Sequence, residues 1–174
     1  YINYNIDNLD VTVGSFYEQF GSGLIFRSWE DKLLGYDNAM NGVLLKYKIG
    51  EGIFLKGIYG TQRISQRVIN TKASLQLGRG LVRGIDAEFA LNDIFKSMAN
   101  NKTYITIGGS FVSKFEIDDD PIYRIPQNVG AGAGRIDISR GRINLSAEYV
   151  FKSQDPSAGG TDNSNGNVGQ SYIY

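Results

Sequence analysis

Residues 40–62, "MNGVLLKYKIGEGIFLKGIYGTQ", decide the fold. Two β-rich runs, Met40–Ile49 and Ile53–Gln62, flank Gly50-Glu51-Gly52, a three-residue loop with glycine available for its left-handed position. Pairing Ile49 with Ile53 sets Tyr47 opposite Leu55, Leu45 opposite Gly57 and Val43 opposite Tyr59 on one face. Lys48, Lys46 and Leu44 then stand opposite Phe54, Lys56 and Ile58 on the other. A slip of one residue would exchange the two faces, so a register that sorts both strands at once predicts an antiparallel hairpin.

The pattern extends in both directions. Val129–Ser139 and Arg142–Lys152 read as a second hairpin joined through Arg140-Gly141, with Ser139 opposite Arg142. Its apolar face then holds Ile138–Ile143, Ile136–Leu145, Gly134–Ala147 and Gly132–Tyr149, and its polar face Asp137–Asn144, Arg135–Ser146 and Ala133–Glu148. Tyr149 would cover a bare glycine, a known stabilising pairing. Leu9–Phe26, Leu81–Asn92, Lys102–Glu116 and Gly169–Tyr174 complete a set of eight expected strands. In Lys102–Glu116, Ile105, Ile107, Phe111 and Phe115 share one face, and Thr106, Ser110 and Lys114 the other. Connections around 27–39, 63–80, 117–127 and 153–168 are long, those at 50–52 and 140–141 are short, and 93–101 has room for one helical turn.

Composition agrees with an all-β reading of one domain in 174 residues. The chain holds 22 Gly, 11 Tyr and 9 Phe but only 3 Pro. Glycine costs a helix interior about 1 kcal/mol relative to alanine, whereas aromatic and β-branched residues suit a pleated surface. Lysine plus arginine and aspartate plus glutamate both total 18, so no basic excess points to nucleic acid. With 0 Cys and 0 His there is no disulfide framework, no thiolate or imidazole metal site and no Ser-His-Asp triad in this stretch. No apolar run approaches the about 20 residues of a membrane helix. The sequence starts at Tyr1 rather than Met, which suggests processing or a place within a longer polypeptide.

Alternation is shared by membrane barrels and soluble sheets. Two features favour an antiparallel transmembrane β-barrel with long exterior loops and short periplasmic turns. The apolar face carries Val43, Leu45, Tyr47, Ile53, Leu55, Tyr59, Ile105, Ile107, Phe111, Ile136, Leu145 and Phe151 without a charge, and Tyr47, Tyr59, Tyr104 and Tyr149 fall near strand ends like an aromatic girdle. Closure also removes the exposed edges of a glycine-rich sheet. On the parity of eight strands the chain would start and end on the periplasmic side. A soluble β-sandwich remains the alternative.

Three stretches carry a resemblance: "YEQFGSGLIFRSWEDKLLGYDNAMNGVLLKY" (residues 17–47), "GLVRGIDAEFALND" (80–93) and "GGSFVSKF" (108–115). Together they resemble a family of Bacteroidota outer-membrane β-barrel proteins catalogued only as a domain of unknown function. The resemblance implies an outer-membrane barrel longer than this chain, located in the bacterial outer membrane, with no established chemistry.

Several groups of residues are candidates for a role. Arg27, Trp29, Glu30, Asp31, Lys32 and Asp37 concentrate charge in the first long connection and are expected to form an ion-pair knot folding that loop over the barrel mouth, with a partner site as the alternative. A lumen network is expected from Lys46, Lys56, Asp86, Glu88, Arg135 and Glu148, in which the facing Lys46 and Lys56 need acids close by, with Asp86 and Glu88 placed to meet them. "GQSYIY" resembles the signal read by barrel-assembly machinery, with Gly169, Tyr172 and Tyr174 as its key positions; an ordinary strand start is the preferred alternative. "EIDDDP" (116–121) lacks the spaced pattern of a calcium loop and reads as a solvated acidic loop. "GAGAG" (130–134) lies within a strand and lacks the phosphate-loop pattern.

The expectation is therefore a non-catalytic outer-membrane barrel without cofactor or metal, in contact with outer-membrane lipid and with other envelope proteins. It would serve as a structural or accessory subunit for secretion, barrel assembly or uptake. A passive diffusion pore and a soluble β-sandwich binding module are the competing readings.

Overall fold

The computed structural model describes residues 1–64, 76–117 and 126–153, and the backbone of 168–173. Nine strands form one antiparallel sheet: β1 (Ile2–Ile6), β2 (Leu9–Phe16), β5 (Met40–Ile49), β6 (Ile53–Ile64), β7 (Gln76–Ala90), β8 (Thr103–Phe115), β9 (Asn128–Arg140), β10 (Ile143–Lys152) and β11 (Val168–Ile173). Each pairs with its neighbour in that order, leaving β1 and β11 at the two edges of an open sheet. A separate two-stranded ribbon, β3 (Glu30–Asp31) and β4 (Tyr36–Asp37), lies in the connection between β2 and β5.

The hairpin of residues 40–62 forms in the expected register, Ile49 opposite Ile53 and Tyr47 opposite Leu55. Gly50 and Gly52 take φ of 56° and 86° in its loop. The second hairpin is displaced by two residues from the expectation. Arg140 pairs with Ile143, Arg135 with Glu148 and Tyr149 with Gly134. The turn is Gly141-Arg142, and Gly141, with φ of 62°, occupies the first central position, where a type II′ turn places its glycine. A two-residue slip keeps every side chain on its face, so the apolar and polar sets survive the change.

Three other expectations are corrected. The sheet has nine strands rather than eight, because β1 pairs with β2 around a tight turn in which Asp7 has φ of 48°. The chain therefore enters and leaves the sheet at opposite ends. β2 stops at Phe16, well short of Phe26. Tyr104 alternates with Ile105 and belongs to the polar face.

Connection lengths alternate along the sheet. The turns at 7–8, 50–52, 91–102 and 141–142 meet at one end, and the connections 17–39, 65–75, 116–127 and 153–167 leave from the other. The third of the shorter turns contains α1 (Leu91–Ile94). The Asn92 amide closes it, donating to Met98 O and Thr103 O, both at 2.9 Å, while its oxygen accepts from Ile105 N at 3.0 Å.

The two faces differ sharply. One is bare: Val13, Val43, Leu45, Tyr47, Tyr59, Ile85, Ile107, Phe111, Ile136, Leu145, Tyr149 and Phe151 share it across seven strands, all exposed. Among the described residues, the arginines of this face are Arg63, Arg79 and Arg83, on the long-connection side of Ile85, and Arg140 beside a short turn. The other face is covered in part. The core, Phe16, Phe20, Phe26, Met40, Leu44, Ile58, Val82 and Val112, lies there, between the sheet and residues of the β2–β5 connection.

Candidate functional site

The covering element is a hairpin, residues 18–28, that turns back over the polar face. Gln19 and Arg27 form an isolated bridge, Phe20 N donates to Phe26 O at 3.1 Å, and Ser28 N donates to Glu18 O at 2.9 Å. Its tip is Gly21-Ser22-Gly23, and both glycines have positive φ, 52° and 91°. Phe20 is fully buried, in tilted contact with the Phe26 ring at 5.2 Å. It sits over Gly84, where a Cβ would come within 2.9 Å of the Phe20 ring. Burial of one such side chain stabilises the docked hairpin by about 1.5–3 kcal/mol.

Charge fixes the hairpin at both sides of this apolar wedge. Lys46 and Lys56 are direct cross-strand partners, and Glu18 reaches between them, 2.6 Å from Lys46 Nζ and 3.0 Å from Lys56 Nζ. Lys56 also donates to Gln19 O at 3.3 Å. At the far side, Ser22 N and Ser22 Oγ both donate to Glu148 Oε2, the former at 3.1 Å. The two lysines thus share Glu18 of the loop, and Asp86 and Glu88 serve a different cation, contrary to the expectation from strand pairing. Arg135 lies across Gly108, where a Cβ would come within 2.6 Å of its guanidinium carbon. It reaches Asp86 Oδ1 at 2.8 Å and Glu88 Oε1 at 2.7 Å. Ser110 Oγ donates to Asp86 at 2.6 Å and accepts from Arg135 at 2.7 Å. A glycine in β8 is what lets an arginine of β9 serve carboxylates of β7.

Burial alone would raise the Glu18 carboxyl. The hydrogen bonds from Lys46, the Gln19 N–H and Lys56 outweigh it, and Glu18 titrates below its ordinary value. A depressed carboxylate contributes stability that is present above its unfolded pKa and lost as pH falls through the folded one. Acidification below the ordinary glutamate range is therefore expected to loosen the docked hairpin, read as faster amide exchange at Phe20 and Phe26. In Glu18→Gln the hairpin should start looser and lose this part of its acid sensitivity.

The charged stretch after the hairpin is organised differently from a mutual ion-pair knot. Arg27 stacks over the Trp29 ring at 5.1 Å, and Trp29 packs on Tyr36 at 5.2 Å. Asp31 accepts from Leu33 N and Leu34 N at 2.9 and 3.1 Å, shaping the turn of the β3–β4 ribbon. Asp37 pairs with Arg63 of β6 and accepts from Tyr17 OH and Ala39 N, each at 3.0 Å. Burial opposes the Asp37 charge, but the Ala39 N–H, Arg63 and Tyr17 hold its carboxyl below the usual range. Among the described residues neither Glu30 nor Lys32 takes part in an ion pair.

Glu18, Phe20, Gly21, Ser22 and Arg63 were not anticipated as functional positions. The Gly-Ser-Gly tip is the signal that could have located the hairpin. Of the candidate assembly signal, Gly169 and Tyr172 pair with Phe151 and Glu148, and Tyr174 lies outside the described residues. So do Asp118–Pro121 of the acidic stretch, whereas Glu116 pairs with Lys114.

No curated protein and no solved structure matches the chain. A family model does match, over residues 1–173, under the description "Family of unknown function (DUF6029)".

Proposed function

We propose, for a chain that belongs to this family of unknown function, a place in the bacterial outer membrane: the nine strands are a stretch of the wall of a Bacteroidota transmembrane β-barrel, and the 18–28 hairpin is a plug on its inner side. The bare face carries this reading. A typical soluble monomer exposes apolar patches of at most about 300–600 Å², whereas here exposed Val, Leu, Ile, Phe and Tyr side chains run strand after strand across the sheet. In water such a face invites aggregation; against acyl chains it is the surface a barrel wall requires. The polarity of the covered face supports the same reading, since Asp86, Glu148 and the Arg135 side chain are buried on the side opposite the bare one. Tyr47, Tyr59 and Tyr149 fit interfacial positions on the lipid side. The short turns then face the periplasm and the long connections the exterior. The open edges at β1 and β11 are paired by further strands of the complete wall.

The role is structural or accessory, within an envelope complex for secretion, barrel assembly or uptake, and non-catalytic. The carboxylates Glu18, Asp86, Glu88 and Asp37 are already engaged by cations, an arrangement that anchors loops rather than activating a nucleophile. A passive pore is the second reading, and the hairpin lying across the inner face weighs against it. Native extraction in mild detergent, followed by particle mass and mass spectrometry of co-purifying chains, tests the role. A stoichiometric assembly is expected. A lone detergent-bound barrel would favour the pore, and a chain that stays dispersed without detergent would overturn the membrane reading.

A further inference from the structure

Beside the hairpin tip lies a cavity of about 200 Å³ lined by Gly21, Ser22, Glu88, Arg135, Asp137, Ala147 and Glu148. Its charge does not balance. Glu88, Asp137 and Glu148 border it and Asp86 stands behind, while Arg135 is its single cation among the described residues and is shared between Asp86 and Glu88. Glu148 is only 3% exposed, and while one carboxylate oxygen holds Ser22, the other has no hydrogen-bond partner among the described residues. An unpaired acceptor at that depth is expensive, and more so when charged. Its register partner Arg135 makes no ion pair with it, reaching instead across Gly108 to Asp86 and Glu88 of β7.

We infer that this cavity is a binding site for a small organic cation bearing N–H donors, an ammonium or guanidinium group. Water would satisfy the free oxygen but leave the negative charge, whereas an N–H cation answers both. Among the described residues no three acidic groups converge closely enough to surround a metal ion. A planar or tetrahedral N–H cation needs no such convergence, because each hydrogen reaches its own carboxylate. Bound there, the cation would bridge Glu148 to Asp137 and tighten the seat on which Ser22 docks, coupling occupancy to the hairpin. The site goes beyond the proposed membrane role and does not depend on it.

The test uses the full chain, solubilised as it is obtained, and methylguanidinium at low millimolar concentration, followed by saturation-transfer NMR against matched sodium chloride. Saturable binding is expected, weakened at least tenfold in Glu148→Gln and in Asp137→Asn and unchanged in Glu30→Gln. Asp137→Asn leaves the Ser22 contact in place, so it remains informative if Glu148→Gln releases the hairpin. Binding no stronger than the sodium background, or affinity that ignores both substitutions, would overturn the inference.

Discussion

Replacing Arg135 by leucine is expected to lower the unfolding free energy by about 3–5 kcal/mol, the usual result of removing one partner from a buried ion pair. The side chain is 6% exposed and spans from β9 to two carboxylates of β7, one of them, Asp86, 1% exposed. Among the described residues, leucine leaves Asp86 with Ser110 as its remaining hydrogen-bond donor and leaves Glu88 without its cation. The loss belongs to the stranded charge more than to the missing bond, so the double variant Arg135→Leu/Asp86→Leu should recover much of it. Denaturant unfolding of the native preparation gives both numbers. A change in Arg135→Leu within about 0.5 kcal/mol, the range of ordinary surface substitutions, would mean that the network does not hold the sheet.

Ile85→Arg is expected to destabilise the chain in a bilayer by about 2–4 kcal/mol, as a cation does at the midplane of a barrel's lipid face. Ile85 is 55% exposed and lies midway along β7, with Gly57 and Phe111 as its cross-strand partners. On a water-facing sheet the same substitution at an exposed site would stay within about 0.5 kcal/mol. The effect therefore measures the solvent of the bare face. Ile85→Leu, which keeps the apolar character, should be nearly neutral in the same preparation.

How far the sequence disclosed this architecture varied with the physics of each element. The 40–62 hairpin was legible to the residue because its glycines fix the loop while its faces fix the register. The 128–152 hairpin was legible only to within two residues. Face sorting cannot see a two-residue slip, and the turn preference of Gly141 decides it. β1 was overlooked although Ile2, Tyr4 and Ile6 alternate with Asn3 and Asn5 ahead of a tight Asp-Asn turn.

At the candidate site, strand alternation sets residues on a common face but does not set their partners. Strand register brings Asp86 beside Lys56, yet the long Arg135 side chain takes Asp86 by crossing a glycine two strands of pairing away. Glu18 stands far from Lys46 and Lys56 in sequence and meets them only because the chain folds back at Gly21-Ser22-Gly23. Phe20, Ile25 and Phe26 read as a continuing strand since their destination, the core over Leu44, Ile58 and Val112, is a tertiary contact. The same folding back explains why Asp37 pairs with Arg63 rather than with Arg27 or Lys32 in its own loop.

The claim that the bare face meets lipid is tested most directly by fluorescence of Ile85→Trp in vesicles containing lipids brominated along the acyl chain. Trp29, in the β2–β5 connection, supplies the background in the parent protein. The added emission is expected to be blue-shifted, strongly quenched by bromine near the bilayer centre and little affected by aqueous iodide. Emission at the wavelength of a hydrated indole, quenched by iodide and indifferent to bromine, would contradict it.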